Sequence, residues 1–93
     1  MTHSQIYLSL LEFFPDEWPC ILNYKNYHVC RVERGDGGVF VGFDNGVTAF
    51  LRNTSTASGS PIYRAEVFDH RTGEHGVVSS RNFSNLLTVC YES

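Results

Sequence analysis

Two apolar runs on either side of Asn45 and Gly46 constrain the fold of this chain more than any other feature. An Asn-Gly dipeptide takes the positive φ angles that both central residues of a type I′ turn require, so residues 39–51 are predicted to form a β-hairpin. Alternation then assigns Val39, Val41 and Phe43 to one face of the first strand, and Val47, Ala49 and Leu51 to one face of the second. Apolar side chains in such rows are expected to line a core.

Phe40 and Phe50 fall on the opposite face of the same hairpin. A hairpin with large apolar side chains on both faces is either covered on both, or covered on one and bound to a partner on the other. A chain of 93 residues builds one core and has few elements with which to cover both faces. The second face of this hairpin is therefore the first candidate for a binding surface.

Amphipathic helices are predicted on both sides of the strand region. Thr2 and Gln5 have the spacing of a capping box, an apolar stripe follows at three- and four-residue spacing, and Pro15 ends the helix. Ser79 or Ser80 is the predicted N-cap of a second helix. Its apolar stripe consists of Phe83, Leu86, Leu87, Cys90 and Tyr91.

Short strands separated by turns are predicted between these helices. Besides the hairpin, strands are expected over 20–24, 27–33, 62–69 and 74–79, with turns at 35–38 and 70–73 and an exposed loop over 53–61. In the strand 27–33, alternation assigns His28, Cys30 and Val32 to one face. Because each link is too short for a parallel crossover, the sheet is predicted to be an antiparallel meander. The fold class is thus α+β: one domain over residues 1–93, with four to six strands flanked by an N-terminal and a C-terminal helix.

Charge and composition narrow the choice of partner. The formal net charge is −3, Lys25 is the only lysine and the six arginines are scattered, so no basic stripe for a nucleic-acid backbone is present. No apolar run has the roughly 18 residues of a membrane span and no secretory signal is recognisable, so a cytoplasmic protein without membrane contact is expected. Cys20, Cys30 and Cys90 are an odd number of cysteines at wide spacing and are expected to be reduced and buried.

Two groups of residues suggest a small enzyme as an alternative. Cys30 is a candidate nucleophile with His28 beside it on the predicted strand, and His70 and His75 flank a turn across which they could meet. A metal site needs three or four ligands in fixed geometry, and neither a Cys-x-x-Cys pair nor a His-Glu-x-x-His motif is present. A structural role for these residues is the preferred interpretation. We therefore expect no enzyme activity, no metal and no cofactor.

A second alternative is the binding of a single-stranded nucleic acid by aromatic side chains of the sheet. The candidates on which bases could stack are Tyr24, Tyr27, Phe40, Phe50 and Tyr63. Such platforms also need a positive groove, which the composition does not supply, so nucleic acid is not an expected partner. The same aromatic residues serve equally well in a core or in a protein-binding patch.

The favoured hypothesis is a small, acidic protein-interaction module. The predicted partner-binding residues combine aromatic with acidic side chains and are Tyr27, Glu33, Asp36, Phe40, Asp44 and Phe50. The expected partner is another protein with a basic surface, or a second copy of this chain in a homodimer. In its small size and its general composition the chain is similar to small, acidic, non-enzymatic proteins of phages and other mobile elements. That similarity implies an inhibitor or accessory protein acting on a larger host or defence complex by occlusion or charge mimicry.

Overall fold

Five strands follow one another across a single antiparallel sheet, in the order in which they occur in the sequence. The structure is a computed structural model, and it describes residues 3–17, 21–55 and 61–92. The strands are β1 (Val29–Gly35), β2 (Gly38–Phe43), β3 (Val47–Ser55), β4 (Pro61–Asp69) and β5 (His75–Ser80). Helix α1 (His3–Phe13) precedes the sheet and helix α2 (Phe83–Glu92) follows it. The predicted α+β class, an antiparallel meander flanked by two helices, is confirmed.

Both helices pack on the same face of the sheet, which we call the inner face. Helix α1 lies against β1 and β2, and α2 lies against β3, β4 and β5. Their apolar stripes join the inward side chains of the strands in one core, whose fully buried members include Leu10, Val39, Leu51 and Leu86. Alternate strand residues project from the opposite face, which we call the outer face. Because the helices occupy the inner face, the outer face is left without a helical layer.

The ends of α1 follow the local sequence. The helix ends at Phe13, and Phe14 still donates a backbone hydrogen bond to Leu10 (2.9 Å) before Pro15 interrupts the pattern, as predicted. Thr2, the predicted capping residue, lies outside the described residues.

Helix α2 is capped by a different residue from the one predicted. Asn82 Oδ1 accepts a hydrogen bond from the backbone N–H of Asn85 at 3.1 Å, which is the geometry of an N-cap. Ser79 and Ser80 lie in β5 instead. The cap therefore moves two residues along, because the strand continues to Ser80 before the chain turns.

The turn of the central hairpin is longer than the predicted type I′ turn. Val41 pairs with Ala49, and this register leaves three residues, Asp44, Asn45 and Gly46, between β2 and β3. Gly46 has a φ of 89°, whereas Asn45 is not among the described residues with positive φ. Three-residue hairpin loops place glycine at the left-handed position in this way. With this loop both apolar rows of the hairpin face the core; a two-residue loop would have paired Val41 with Phe50.

The segment predicted as a strand over 20–24 is helical where it is described. Ile21 and Leu22 are helical, and Tyr24–Tyr27 form a 3₁₀ helix. Ile21 and Tyr24 are both buried, and their three-residue spacing matches a helical rather than a strand period. Cys20 lies outside the described residues.

A β-bulge at the start of β1 overturns the predicted alternation of His28, Cys30 and Val32. Val29 pairs with Phe43 and Arg31 with Gly42, so Cys30 is an extra residue on its strand. Such a residue shifts the alternation by one position. As a result Val29 and Val32 are both buried, whereas Cys30 is exposed.

The predicted loop over 53–61 is shorter than expected. Strand β3 continues to Ser55 and β4 begins at Pro61, and the two ends pair directly with each other. The remaining residues, 56–60, lie outside the described part of the chain. The period-2 signal was hidden at the end of β3 because Asn53, Thr54 and Ser55 are all small polar residues.

The turn between β4 and β5 is confirmed, with Gly73 at a φ of 78°. The carboxylate of Asp69 accepts hydrogen bonds from the guanidinium of Arg71 at 3.0 Å, which closes the turn. These bonds lower the pKa of the Asp69 carboxyl below its ordinary value.

Candidate protein interface

A row of side chains crosses the outer face at right angles to the strands. Cross-strand pairing places these residues next to one another in the order Glu33, Phe40, Phe50, Glu66 and Val77. Phe40 is 49% exposed and Val77 is 53% exposed, and Phe68, in the adjacent row, is 40% exposed. Large apolar side chains grouped on one surface are typical of sites that bind other molecules. We call Phe40, Phe68 and Val77 the apolar patch.

Phe50 lies on the outer face but supports the patch from below. Its ring centroid is 4.4 Å from that of Phe40, and the Arg52 guanidinium lies 4.8 Å from its centroid, so only 7% of Phe50 is exposed. The ring also lies over two glycines: a Cβ at Gly35 would stand 2.6 Å, and one at Gly38 2.9 Å, from Phe50 ring atoms. The absence of side chains at these positions makes room for the ring. The Phe40 ring packs on Phe50 and therefore projects into solvent.

Two shallow depressions lie on either side of the Phe40 ring. One, of about 490 Å³, is bounded by Phe40, Gly42, Thr48 and His70 among others. The other, of about 480 Å³, is bounded by Phe40, Phe68, Glu66 and Val77 among others. Both are open to solvent and lie across strands rather than inside the domain. Their shape suits side chains of a docked protein better than an enclosed small molecule.

Three arginines and two glutamates project from the outer face near the patch: Arg31, Arg52, Arg64, Glu33 and Glu66. Arg31 pairs with Glu33 at 2.5 Å. Arg52 and Arg64 stand directly opposite each other on β3 and β4, and within the described residues neither guanidinium forms a salt bridge. Like charges directly opposite on a sheet are unfavourable. With three arginines against two glutamates, the outer face carries excess positive charge, although the net charge of the chain is −3.

Three of the six predicted partner-binding residues come together on the outer face. Glu33, Phe40 and Phe50 are consecutive members of the row. Tyr27 does not join them, because it ends the 3₁₀ helix before β1 and packs against the core.

The three acidic residues among the predicted partner-binding residues, Glu33, Asp36 and Asp44, do not lie together. Asp36 lies in the β1–β2 turn and Asp44 in the β2–β3 turn, at opposite ends of β2, a strand of six residues. At about 3.3 Å per residue the two carboxylates are on the order of 20 Å apart. Asp44 Oδ2 hydrogen-bonds His28 Nδ1 at 3.1 Å, so its carboxylate is engaged at that end of the sheet. These residues are close in the sequence, but β2 separates Asp44 from the other two.

Four residues of this surface were not predicted: Phe68, Val77, Arg52 and Arg64. Phe68 follows Arg64 and Glu66 at two-residue spacing on β4, and this alternation already assigns it to the outer face. Val77 follows from its register with Glu66. The opposition of Arg52 and Arg64 depends on the β3–β4 register. The sequence does not specify that register across the predicted loop over 53–61.

Three of the four enzyme candidates, His28, Cys30 and His70, make contacts within the fold. His28 stacks on Tyr91 with 4.1 Å between ring centroids and hydrogen-bonds Asp44, whereas the Cys30 thiol donates to the carbonyl of Gly42 at 3.4 Å. His70 contacts the hydroxyl of Thr48 at 3.0 Å. Within the described residues no group of three or more His, Cys, Asp or Glu side chains is placed to hold a metal ion.

The aromatic platform considered for single-stranded nucleic acids does not assemble. Tyr24 and Tyr63 are buried in the core, with 4% and 1% of their surfaces exposed, and only Phe40 and Phe50 of the five candidates lie on the outer face. The Tyr63 hydroxyl donates to the Glu17 carboxylate, which satisfies it inside the fold. Because these two rings are buried in the core, they are not accessible for stacking on bases.

Comparisons of the chain with protein-family models, with curated proteins and with solved structures found no match. In the part of the chain that the structure describes, neither helix has the length and apolarity that crossing a bilayer demands. The geometry of the outer face is therefore the basis for assigning a function.

Proposed function

We propose that this chain is a cytoplasmic protein-interaction module that binds its partner through the outer face of the sheet. The observation that carries the proposal is the exposure of Phe40, Phe68 and Val77 on the one sheet face that the helices do not cover. Leaving these side chains exposed forgoes the free energy of burying them, and docking a partner on them gains that free energy. The chain acts by occupying a surface of its partner, in the manner of an inhibitor or accessory protein, rather than by catalysis.

The charges beside the patch support an acidic partner segment. Arg52 and Arg64 stand opposite each other without a carboxylate partner among the described residues. A carboxylate placed between them would relieve their repulsion and form charge-assisted hydrogen bonds. This proposal replaces the basic partner expected from the sequence, because Asp36 and Asp44 lie at the ends of the sheet instead of beside the patch.

A selection from a displayed library of random peptides tests this chemistry without knowledge of the partner. We expect the enriched peptides to combine Asp or Glu with aromatic or branched aliphatic residues. Each should bind Phe40→Ala and Arg64→Glu about tenfold more weakly than the wild-type chain, since central aromatic and arginine contacts carry most of the affinity at an interface.

Leu8→Ala is the matched control. Leu8 is 61% exposed on α1, away from the outer face, so its truncation removes a comparable apolar group without changing the proposed site. Enriched peptides that lose affinity for Leu8→Ala but not for Phe40→Ala would place the binding surface on the helices and refute the proposal. Enrichment of basic peptides would refute the acidic partner alone.

A further inference from the structure

The two edges of the sheet differ in how they are protected against pairing with another strand. Edge strand β1 contains the bulge at Cys30 and carries charged residues at Arg31, Glu33 and Arg34. Bulges, charges and covering elements are the devices that keep edge strands from associating. Edge strand β5, His75–Ser80, has a regular register with β4 and contains no proline, lysine or acidic residue. Within the described residues, β5 therefore has neither a bulge nor a charged Asp, Glu, Lys or Arg side chain to oppose pairing.

The backbone of β5 offers its free hydrogen-bonding groups at alternate residues. Asp69 donates its N–H to the carbonyl of Glu74 at 2.8 Å, which makes this a hydrogen-bonded pair of the antiparallel ladder. Because such pairs alternate, Gly76, Val78 and Ser80 bond to β4, and the N–H and C=O groups of His75, Val77 and Ser79 point away from the sheet.

We propose that β5 pairs antiparallel with β5 of a second copy of this chain, around a two-fold axis at Val77. In this register Val77 pairs with Val77 of the second copy, and His75 pairs with Ser79. All three outward residues then exchange both of their backbone hydrogen bonds, and the two sheets become one continuous sheet of ten strands. The outer faces of both copies lie on the same side, because every pair joins residues that face the same way.

The side chains of β5 permit this self-pairing. In a symmetric antiparallel pair, a charged residue near the two-fold axis would lie close to its own copy, which is unfavourable. Strand β5 has no Asp, Glu, Lys or Arg, so it avoids this repulsion. On the outer face the exposed Val77 meets its own copy, so the apolar patches of the two chains become continuous. On the inner face Gly76 lies opposite Val78, where a Cβ at Gly76 has no atom within 4 Å, which leaves space for the valine.

Charge substitutions at Val77 test the two-fold register by light scattering coupled to size-exclusion chromatography. The wild-type chain should elute with the mass of a dimer. Val77→Lys and Val77→Glu should each elute as monomers, because like charges meet at the axis and weaken the dimer by about 100-fold or more. An equimolar mixture of the two variants should recover the dimer, since opposite charges now face each other.

Leu8→Lys is the control, because it adds the same charge at an exposed position on α1 and should remain dimeric. Phe40→Ala should also remain dimeric, so failure of the dimer and failure of the proposed binding surface are separate results. Circular dichroism confirms that the variants are folded. A monomeric wild-type chain at all concentrations, a dimeric Val77→Lys, or a mixture that stays monomeric would each overturn the proposal.

Discussion

Cys30 and Cys90 occupy opposite environments, although the sequence places both on apolar stripes. The bulge turns Cys30 to the surface, whereas Cys90 is fully buried on the inward side of α2. A reagent reaches an exposed thiol but not one that is packed in the core. Near pH 8 a mild thiol reagent should label Cys30 rapidly and Cys90 only on unfolding, as read by peptide mass spectrometry. Rapid labelling of Cys90 in the folded chain would contradict this packing of α2.

The buried thiol of Cys90 also makes stability depend on pH. Burial raises the pKa of Cys90 to about 12, so the folded thiol stays protonated where the unfolded one ionises, above about pH 8.5. The unfolded state then loses protons that the folded state keeps, and the free energy of unfolding falls as pH rises from there towards 12. Cys90→Ala, although less stable near pH 7, should show a shallower decline in urea titrations. Parallel declines would show that Cys90 does not contribute.

The burial of Phe50 could not be predicted from its own position in the sequence. Its place on the outer face follows from alternation, but its burial does not, because the covering groups are Phe40, Arg52 and two glycines from neighbouring strands. Such contacts depend on register, which a residue's own neighbours in the sequence do not specify.

At the scale of elements, Gly46 is the residue on which the central hairpin depends most. Its φ is 89°, and a Cβ there would also lie 3.3 Å from Arg71 Cγ. Gly46→Ala should lower the free energy of unfolding by about 1–2 kcal/mol, the cost of a left-handed conformation for an L-residue. Urea titration measures this change.

Gly76→Ala is the control for that variant, because Gly76 does not have a positive φ and its Cβ position is empty. This substitution should leave stability unchanged or raise it by up to about 1 kcal/mol. Equal losses at Gly46 and Gly76 would mean that the left-handed backbone of Gly46 is not the cause of the loss.

Element types and order were predictable where periodicity was long. The apolar stripes of α1 and α2 and the alternation of β2 and β4 each extend over several repeats, so the helices, the central hairpin and the strand over 62–69 were predicted. The errors lie where the signal was short or interrupted: the helical turn at Ile21, the bulge at Cys30 and the polar end of β3. In each case contacts with other elements override the local pattern.

At the scale of the whole molecule, charge is distributed unevenly. The chain is net acidic, yet the outer face holds Arg31, Arg52 and Arg64 against Glu33 and Glu66. The acidic residues Glu33, Asp36 and Asp44 were the basis for expecting a basic partner, and Asp36 and Asp44 lie in turns away from the patch. Exposed charges are screened beyond roughly 10 Å at 0.1 M salt, so the arginines beside the patch matter more to a docked partner than distant acidic turns.

Affinity capture with matched variants shows directly whether the outer face of the sheet binds a partner protein. Lysate from cells that express the chain is passed over immobilised wild type, Leu8→Ala, and the double variant Phe40→Ala with Phe68→Ala, and bound proteins are quantified by mass spectrometry. Wild type and Leu8→Ala should recover the same partner, and the double variant should recover at least about tenfold less of it. Equal recovery by the double variant would contradict binding through the outer face.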